Sequence, residues 1–119
     1  MAGSEDRVLR HGTTRQRAEA ILCHGPNPNF REPGEIYTSA GGFSTAPVEG
    51  PFPFGSPEVC AVRKAALFPN EGGPAILEIE VPLAISELAI DEGGEVRFIP
   101  GWGLEELLIA WPTIPKRIL

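Results

Sequence analysis

Three short stretches carry residue types that could act on a bound small molecule. Leu9-Arg10-His11-Gly12-Thr13-Thr14 puts a histidine at the end of a strand-like run. The glycine after it has no Cβ, which lets backbone approach a ligand closely, and the two threonines suit a helix cap. Ile36-Tyr37-Thr38-Ser39 holds the one tyrosine of the chain, a flat face on which a ring can stack. Gly94-Glu95-Val96-Arg97-Phe98-Ile99 sets a carboxylate at the start of an alternating strand, after a Gly-Gly turn. Aimed into a cleft, that carboxylate would stabilise positive charge growing on a sugar carbon and hold a ribose hydroxyl. Glycosyl transfer through an oxocarbenium-like state needs that electrostatic help. Each stretch also has an ordinary structural reading: a strand-to-helix turn with a satisfied histidine, a core aromatic, and a solvated acid.

The elements that must position these residues follow from periodicity and punctuation. Val8 to His11 reads as a strand that Gly12 breaks, and Thr13 with Gln16 resembles a capping box opening a helix. Ala18, Ile21 and Leu22 supply its apolar stripe, and Gly25-Pro26 stops it. After a proline-rich loop over 26–34, residues 35–39 read as a strand carrying Tyr37. The irregular stretch 40–55 exceeds an ordinary connection and suits a lid that excludes water, favouring transfer over hydrolysis. Ser56-Pro57-Glu58 has the residue types of a helix start. Val59, Val62, Ala66 and Leu67 are expected to form its buried stripe, and residues 68–70 its end. Over 75–81, Leu77, Ile79 and Val81 alternate with Glu78 and Glu80, which predicts a strand with one buried and one wet face. Residues 83–90 fit either a helical turn or a strand, 91–94 a turn, 95–99 a strand, and 104–111 a last strand. Early helices followed by antiparallel strands predict an α+β fold with two helices, as a single domain over 1–119 whose first six residues are frayed.

Composition bounds the function. The chain has 119 residues, of which 14 are glycine and 13 proline, so long helices cannot dominate. Its net charge of −6 has the wrong sign for a sequence-independent grip on nucleic-acid phosphates. No apolar run approaches the ~18 residues needed to span a membrane, so no membrane partner is expected. The acidic N-terminal stretch MAGSEDRVLRHG lacks the pattern of a signal peptide; a cytoplasmic location, or delivery without such a signal, is expected. Cys23 and Cys60 read as small buried hydrophobes and make no metal pattern with His11 and His24.

Taken in order, "LRHGTTRQRAEAILCHG", "GEIYTS", a helix from Ser56, "AILEIEVP" and "GEVRFIPG" resemble the ADP-ribosyltransferase superfamily. The resemblance is to its His-Tyr-Glu group, which holds the poly-ADP-ribose polymerases and diphtheria-toxin-like enzymes, and it runs from about Val8 to Ile109. It implies a small ADP-ribosyltransferase-like fold of mostly antiparallel, split β-sheets. It also implies transfer of ADP-ribose from NAD, a co-substrate, to a macromolecular acceptor with release of nicotinamide. On that resemblance His11 would bond the adenosine-side ribose, Gly12 would clamp the nicotinamide carboxamide through its backbone, and Thr13 would add a contact beside it. Tyr37 would stack on the nicotinamide, Phe43 would supply a second aromatic face, and Glu95 would stabilise the oxocarbenium ion. Small free-standing domains of this kind are often bacterial toxins or effectors, which implies an antitoxin or immunity partner.

The chain also departs from that pattern. It has no second tyrosine, and it is shorter than most members. Phe43-Ser44-Thr45 resembles the Ser-Thr-Ser motif of the superfamily's other group, the Arg-Ser-Glu enzymes. In that version Arg10 replaces His11 and Ser44 replaces Tyr37. Position 93, two before Glu95, is glycine where arginine-modifying members carry a second acid, which argues against arginine as the acceptor and favours the His-Tyr-Glu version. Two other functions stay open: a non-catalytic module of the same fold that binds NAD, ADP-ribose or a protein, and an enzyme like the RNA 2′-phosphotransferases. The acidic charge and scattered arginines count against the latter.

Overall fold

The computed structural model describes residues 6–26, 42–45, 56–92 and 95–119. Tyr37, the strand expected around it and residues 40–41 and 46–55 of the expected lid lie outside the described residues. In chain order the elements are β1 (Asp6–Thr14), α1 (Arg15–His24), β2 (Gly42–Ser44), α2 (Pro57–Leu67), β3 (Pro74–Pro82), α3 (Leu83–Ser86), β4 (Ile90–Glu92), β5 (Glu95–Arg97), α4 (Leu104–Ala110) and β6 (Lys116–Ile118). A 3-10 turn, Trp111–Thr113, joins the last two.

The strands form one six-stranded sheet in the order β4-β5-β2-β1-β3-β6, antiparallel throughout. The α+β expectation therefore holds. The described residues form one continuous sheet, not split sheets, and four α-helices, not two. The central pair is β1 with β3, in register over nine residue pairs from Asp6↔Pro82 to Thr14↔Pro74, so Asp6 is paired and not frayed, and the strand runs on through Gly12, which does not break it.

Alternation divides the sheet into two faces. Leu9, Leu77, Ile79, Val81, Phe43 and Val96 lie on one face and are buried with Ala18 of α1 and Leu104, Leu107 and Trp111 from the chain's last third. That is the core. The Trp111 Nε1–H donates to Leu22 O at 3.1 Å, tying the end of α4 to α1. The opposite face is covered in part by α2. At Gly12 a Cβ would stand 2.0 Å from Pro57 O and 2.8 Å from Ala61 N, so only glycine lets that helix lie so close to β1.

Helix ends follow the punctuation closely. Thr14, one residue later than expected, caps α1 and accepts from Arg17 N at 3.3 Å. Gly25, at φ 82°, closes it with its N–H on Ile21 O at 2.8 Å. Ser56 caps α2 by accepting from Val59 N at 3.2 Å, with Pro57 in the first turn.

Other expectations are corrected. Residues 104–110 form a helix, not a strand: Leu104, Leu107 and Trp111 are buried at helical spacing, and Glu105 and Glu106 sit in the first turn where the helix dipole favours acids. The stretch 40–55, read as irregular, contains β2. The region 83–90 is a short helix leading to a strand, and β4 takes in two residues expected in the 91–94 turn. In α2 the buried side is Pro57, Ala61 and Lys64, while Val62, Ala66 and Leu67 face solvent. Cys23 is exposed and Cys60 half-buried, so neither is the fully buried hydrophobe expected.

Candidate functional site

The middle of the sheet brings the chemistry-bearing residues together, and register decides which of them share a face. Arg10 of β1 lies opposite Ser44 of β2, and Ser44 lies opposite Glu95 of β5. On the other side Arg10 lies opposite Glu78 of β3, and Glu78 opposite Arg117 of β6. Directly opposed residues of antiparallel strands point to the same side. The result is a polar row, Glu95–Ser44–Arg10–Glu78–Arg117, across five adjacent strands. Adjacent strands are about 4.8 Å apart, which puts the Arg10 and Glu95 backbones roughly 10 Å from each other.

The row is organised around Glu78. Its Oε2 accepts from Arg10 Nε at 2.9 Å, its Oε1 accepts from Arg117 Nε at 3.0 Å, and Arg117 Nη2 lies 2.9 Å from the same Oε1 as an ion pair. Glu78 was expected on a wet face, yet it is only 9% exposed. Burial alone would push its carboxyl up; the hydrogen bonds and charges of Arg117 and Arg10 outweigh that and hold it below the usual carboxylate range. At the far end Glu95 is exposed at the start of β5.

His11 belongs to the other face. One residue from Arg10, it is 7% exposed, and its ring lies 5.6 Å from that of Phe43, which in turn meets Phe98 edge-on at 6.0 Å. Its Nδ1–H donates to Gly42 O at 2.6 Å. Burial, and secondarily the Lys64 ammonium, lower its pKa from 6.5 to about 4 against the opposing effect of the Gly42 bond. The imidazole is therefore neutral at physiological pH, with its tautomer fixed by the Gly42 carbonyl.

The remaining expected site residues fall as follows. Gly12 shares the face of Arg10 and is accounted for by the helix packed above it. Thr13 returns to the core face, is 1% exposed, and has a buried hydroxyl that finds no hydrogen-bond partner among the described residues. Phe43 is buried in the core at 3% exposure. The structure thus brings His11 and Phe43 together on the core face, and Arg10, Ser44 and Glu95 together on the other.

Sequence reasoning missed Glu78 and Arg117 as parts of this row. The signal for Glu78 was an acid in the middle of the most regular strand, which alternation alone assigns to solvent. Among the described residues no group of three His, Cys, Asp or Glu is placed to hold a metal ion, and no helix is long and apolar enough to cross a membrane. Comparison with protein-family models, curated proteins and solved structures finds no match for this chain.

Proposed function

We propose that this domain transfers ADP-ribose from NAD to a nucleophile of a macromolecule, using Glu95 with Arg10 and Ser44. The observation that carries this reading is the register Arg10↔Ser44↔Glu95, which aligns a cation, a hydroxyl and a carboxylate on one face of three neighbouring strands. The order of the remaining elements also supports it: a strand and a helix, then a helix, a strand and later a strand opening with Glu95 follow one another as the family resemblance implies, while the tyrosine strand lies outside the described residues. His11, which the resemblance first offers, is a neutral core residue on the opposite face, so the Arg-Ser-Glu version fits the geometry better.

The chemistry divides along the row. The bond that breaks joins the nicotinamide nitrogen to C1′ of its ribose. Nicotinamide leaves with the bonding electron pair, which neutralises its ring, and C1′ takes on oxocarbenium character. The Glu95 carboxylate offers fixed negative charge where that positive charge grows, and it accepts a hydrogen bond from a ribose hydroxyl. The acceptor's nucleophile then bonds to C1′ and gives its proton to solvent. The planar guanidinium of Arg10 matches the geometry of a phosphate oxygen pair. About 10 Å of row leaves room for a ribose and its attached phosphate between the two ends. Ser44 lies between them as a small hydrogen-bonding group.

The test is NAD turnover by the wild type against Glu95→Gln, with NAD binding measured by calorimetry. The substitution should lower turnover roughly 100-fold or more while binding changes little. Equal turnover by the two proteins removes Glu95 from the reaction. Binding of NAD by both proteins with no consumption by either, whatever acceptor is offered, supports the non-catalytic module instead.

A further inference from the structure

Arg10 cannot set its own direction, because the arginine side chain has several freely turning bonds. Its guanidinium is the middle of three groups that the sheet holds in line. On one side Ser44 occupies the opposed position on β2, and on the other Glu78 occupies it on β3. Glu78 takes Arg10 through Nε, the nitrogen nearest the stem, at 2.9 Å, so this bond ties the base of the guanidinium to β3. Glu78 is in turn held, because its second oxygen accepts from Nε of Arg117 and forms an ion pair with the same guanidinium. Both carboxylate oxygens are committed, each to a different arginine from a different flanking strand. The Arg10 and Glu78 side chains are 22% and 11% exposed, so solvent screens their bond little, whereas Arg117 is 71% exposed.

We infer that Glu78 is a positioning residue for NAD: it holds the Arg10 guanidinium in place within the row that also carries Ser44 and Glu95, and Arg117 of the C-terminal strand steadies it. This inference rests on the Arg-Ser-Glu reading proposed above. Glu78 touches no substrate and acts only through Arg10. Because Arg10 lies two strands from the reacting bond, its contact with NAD is equally strong before and during bond breaking. Losing its orientation therefore weakens binding and leaves the chemical step intact. The same arrangement links β6, at the end of the described chain, to the proposed site in the middle of the sheet.

Two measurements test this on the full chain. The first is steady-state NAD consumption by wild type, Glu78→Gln, Glu78→Ala, Arg117→Ala and, as a control, Asp91→Asn, which removes an exposed ion pair with Arg7 elsewhere on the sheet. Glu78→Gln keeps an oxygen for Arg10 Nε and should raise KM for NAD only a fewfold. Glu78→Ala should raise KM roughly tenfold or more with kcat within about twofold, and Arg117→Ala should raise it about twofold. Asp91→Asn should leave both constants unchanged. The second is the Arg10 Nε–H proton resonance, slowly exchanging in wild type and Glu78→Gln and lost in Glu78→Ala.

A wild type that consumes NAD, fails with Glu95→Gln and keeps its KM with Glu78→Ala overturns the role of Glu78 and leaves the proposed function standing. A fall in kcat at constant KM overturns it too. A wild type that neither binds nor consumes NAD overturns both, and a protected Nε–H in that protein makes the ion triad purely structural.

Discussion

Arg10 and His11 are neighbours in the chain with opposite fates. Arg10 joins a polar row on one face of the sheet, paired with Glu78 and in line with Ser44 and Glu95. His11 joins the core on the other face, its ring against Phe43 and its Nδ1–H on Gly42. Both faces bury polar atoms, by different means. The row neutralises charge with charge. The core keeps its histidine neutral and gives it one backbone acceptor. A motif read along the chain treats Arg10 and His11 as interchangeable candidates for one ligand. A pleated strand makes them mutually exclusive, since successive side chains cannot reach the same side.

The comparison can be broken or sharpened by substitution. The largest effect is expected at Gly12, on the row's face but beneath α2. Gly12→Ala places a methyl 2.0 Å from the Pro57 carbonyl oxygen, a backbone atom that moves only with its helix. It should cost about 3 kcal/mol or more, read as a fall in the urea midpoint, and a near-native midpoint would show that α2 is not seated as described.

Next comes the pH dependence of the core face. His11 titrates at about 4 when folded against 6.5 for the free side chain, so the unfolded chain binds a proton that the native state refuses in between. Its contribution is fully present above pH 6.5 and is lost as pH falls toward 4, on the order of 3 kcal/mol in all. Glu78 and Glu71 are also held below their usual range, Glu71 chiefly by its hydrogen bond from Arg17. Their contributions are present above about 4.5 and are lost below it as pH falls through their folded values. Unfolding midpoints of the wild type should decline from pH 6.5 downward. In His11→Gln the decline should begin only in the carboxylate range, and a variant that still follows the wild-type curve between pH 6.5 and 5 would place the titration elsewhere.

Smaller effects separate the two means of burial. Thr13→Val replaces a buried hydroxyl that has no partner among the described residues with a methyl of similar size and should stabilise by about 1 kcal/mol, measured by thermal unfolding. Arg117→Ala should change stability by no more than about 0.5 kcal/mol, because its side chain is largely solvated and Glu78 keeps Arg10. A loss at Arg117 as large as the change at Gly12 would mean that the row, and not the core, holds the sheet together.

Much of the frame was legible beforehand. Gly25-Pro26 and Ser56-Pro57 marked helix ends because glycine and proline restrict backbone locally, whatever surrounds them. The alternation of Leu77, Ile79 and Val81 marked β3 because a half-buried strand requires it. Other elements were misread for physical reasons. Leu104-Glu105-Glu106-Leu107-Leu108-Ile109-Ala110-Trp111 suits a strand by its apolar content, but it buries residues 104, 107 and 111, which is helical spacing. Gly42-Phe43-Ser44 is too short to announce a strand; pairing on both sides makes it one. Glu78 alternates with apolar neighbours as a wet residue would, and only the arginines brought beside it by β1 and β6 allow it to be buried.

The amino-acid sequence by itself determined where α1 ends and α2 begins, which strand is most regular, and which few residues could act on a sugar or a phosphate, since these depend on local backbone restriction and side-chain chemistry. Tertiary structure alone decided that Arg10, Ser44 and Glu95 share a face and that His11 does not. Register is a property of pairs of strands far apart in the chain, and a shift of one residue in any pairing would exchange the two faces.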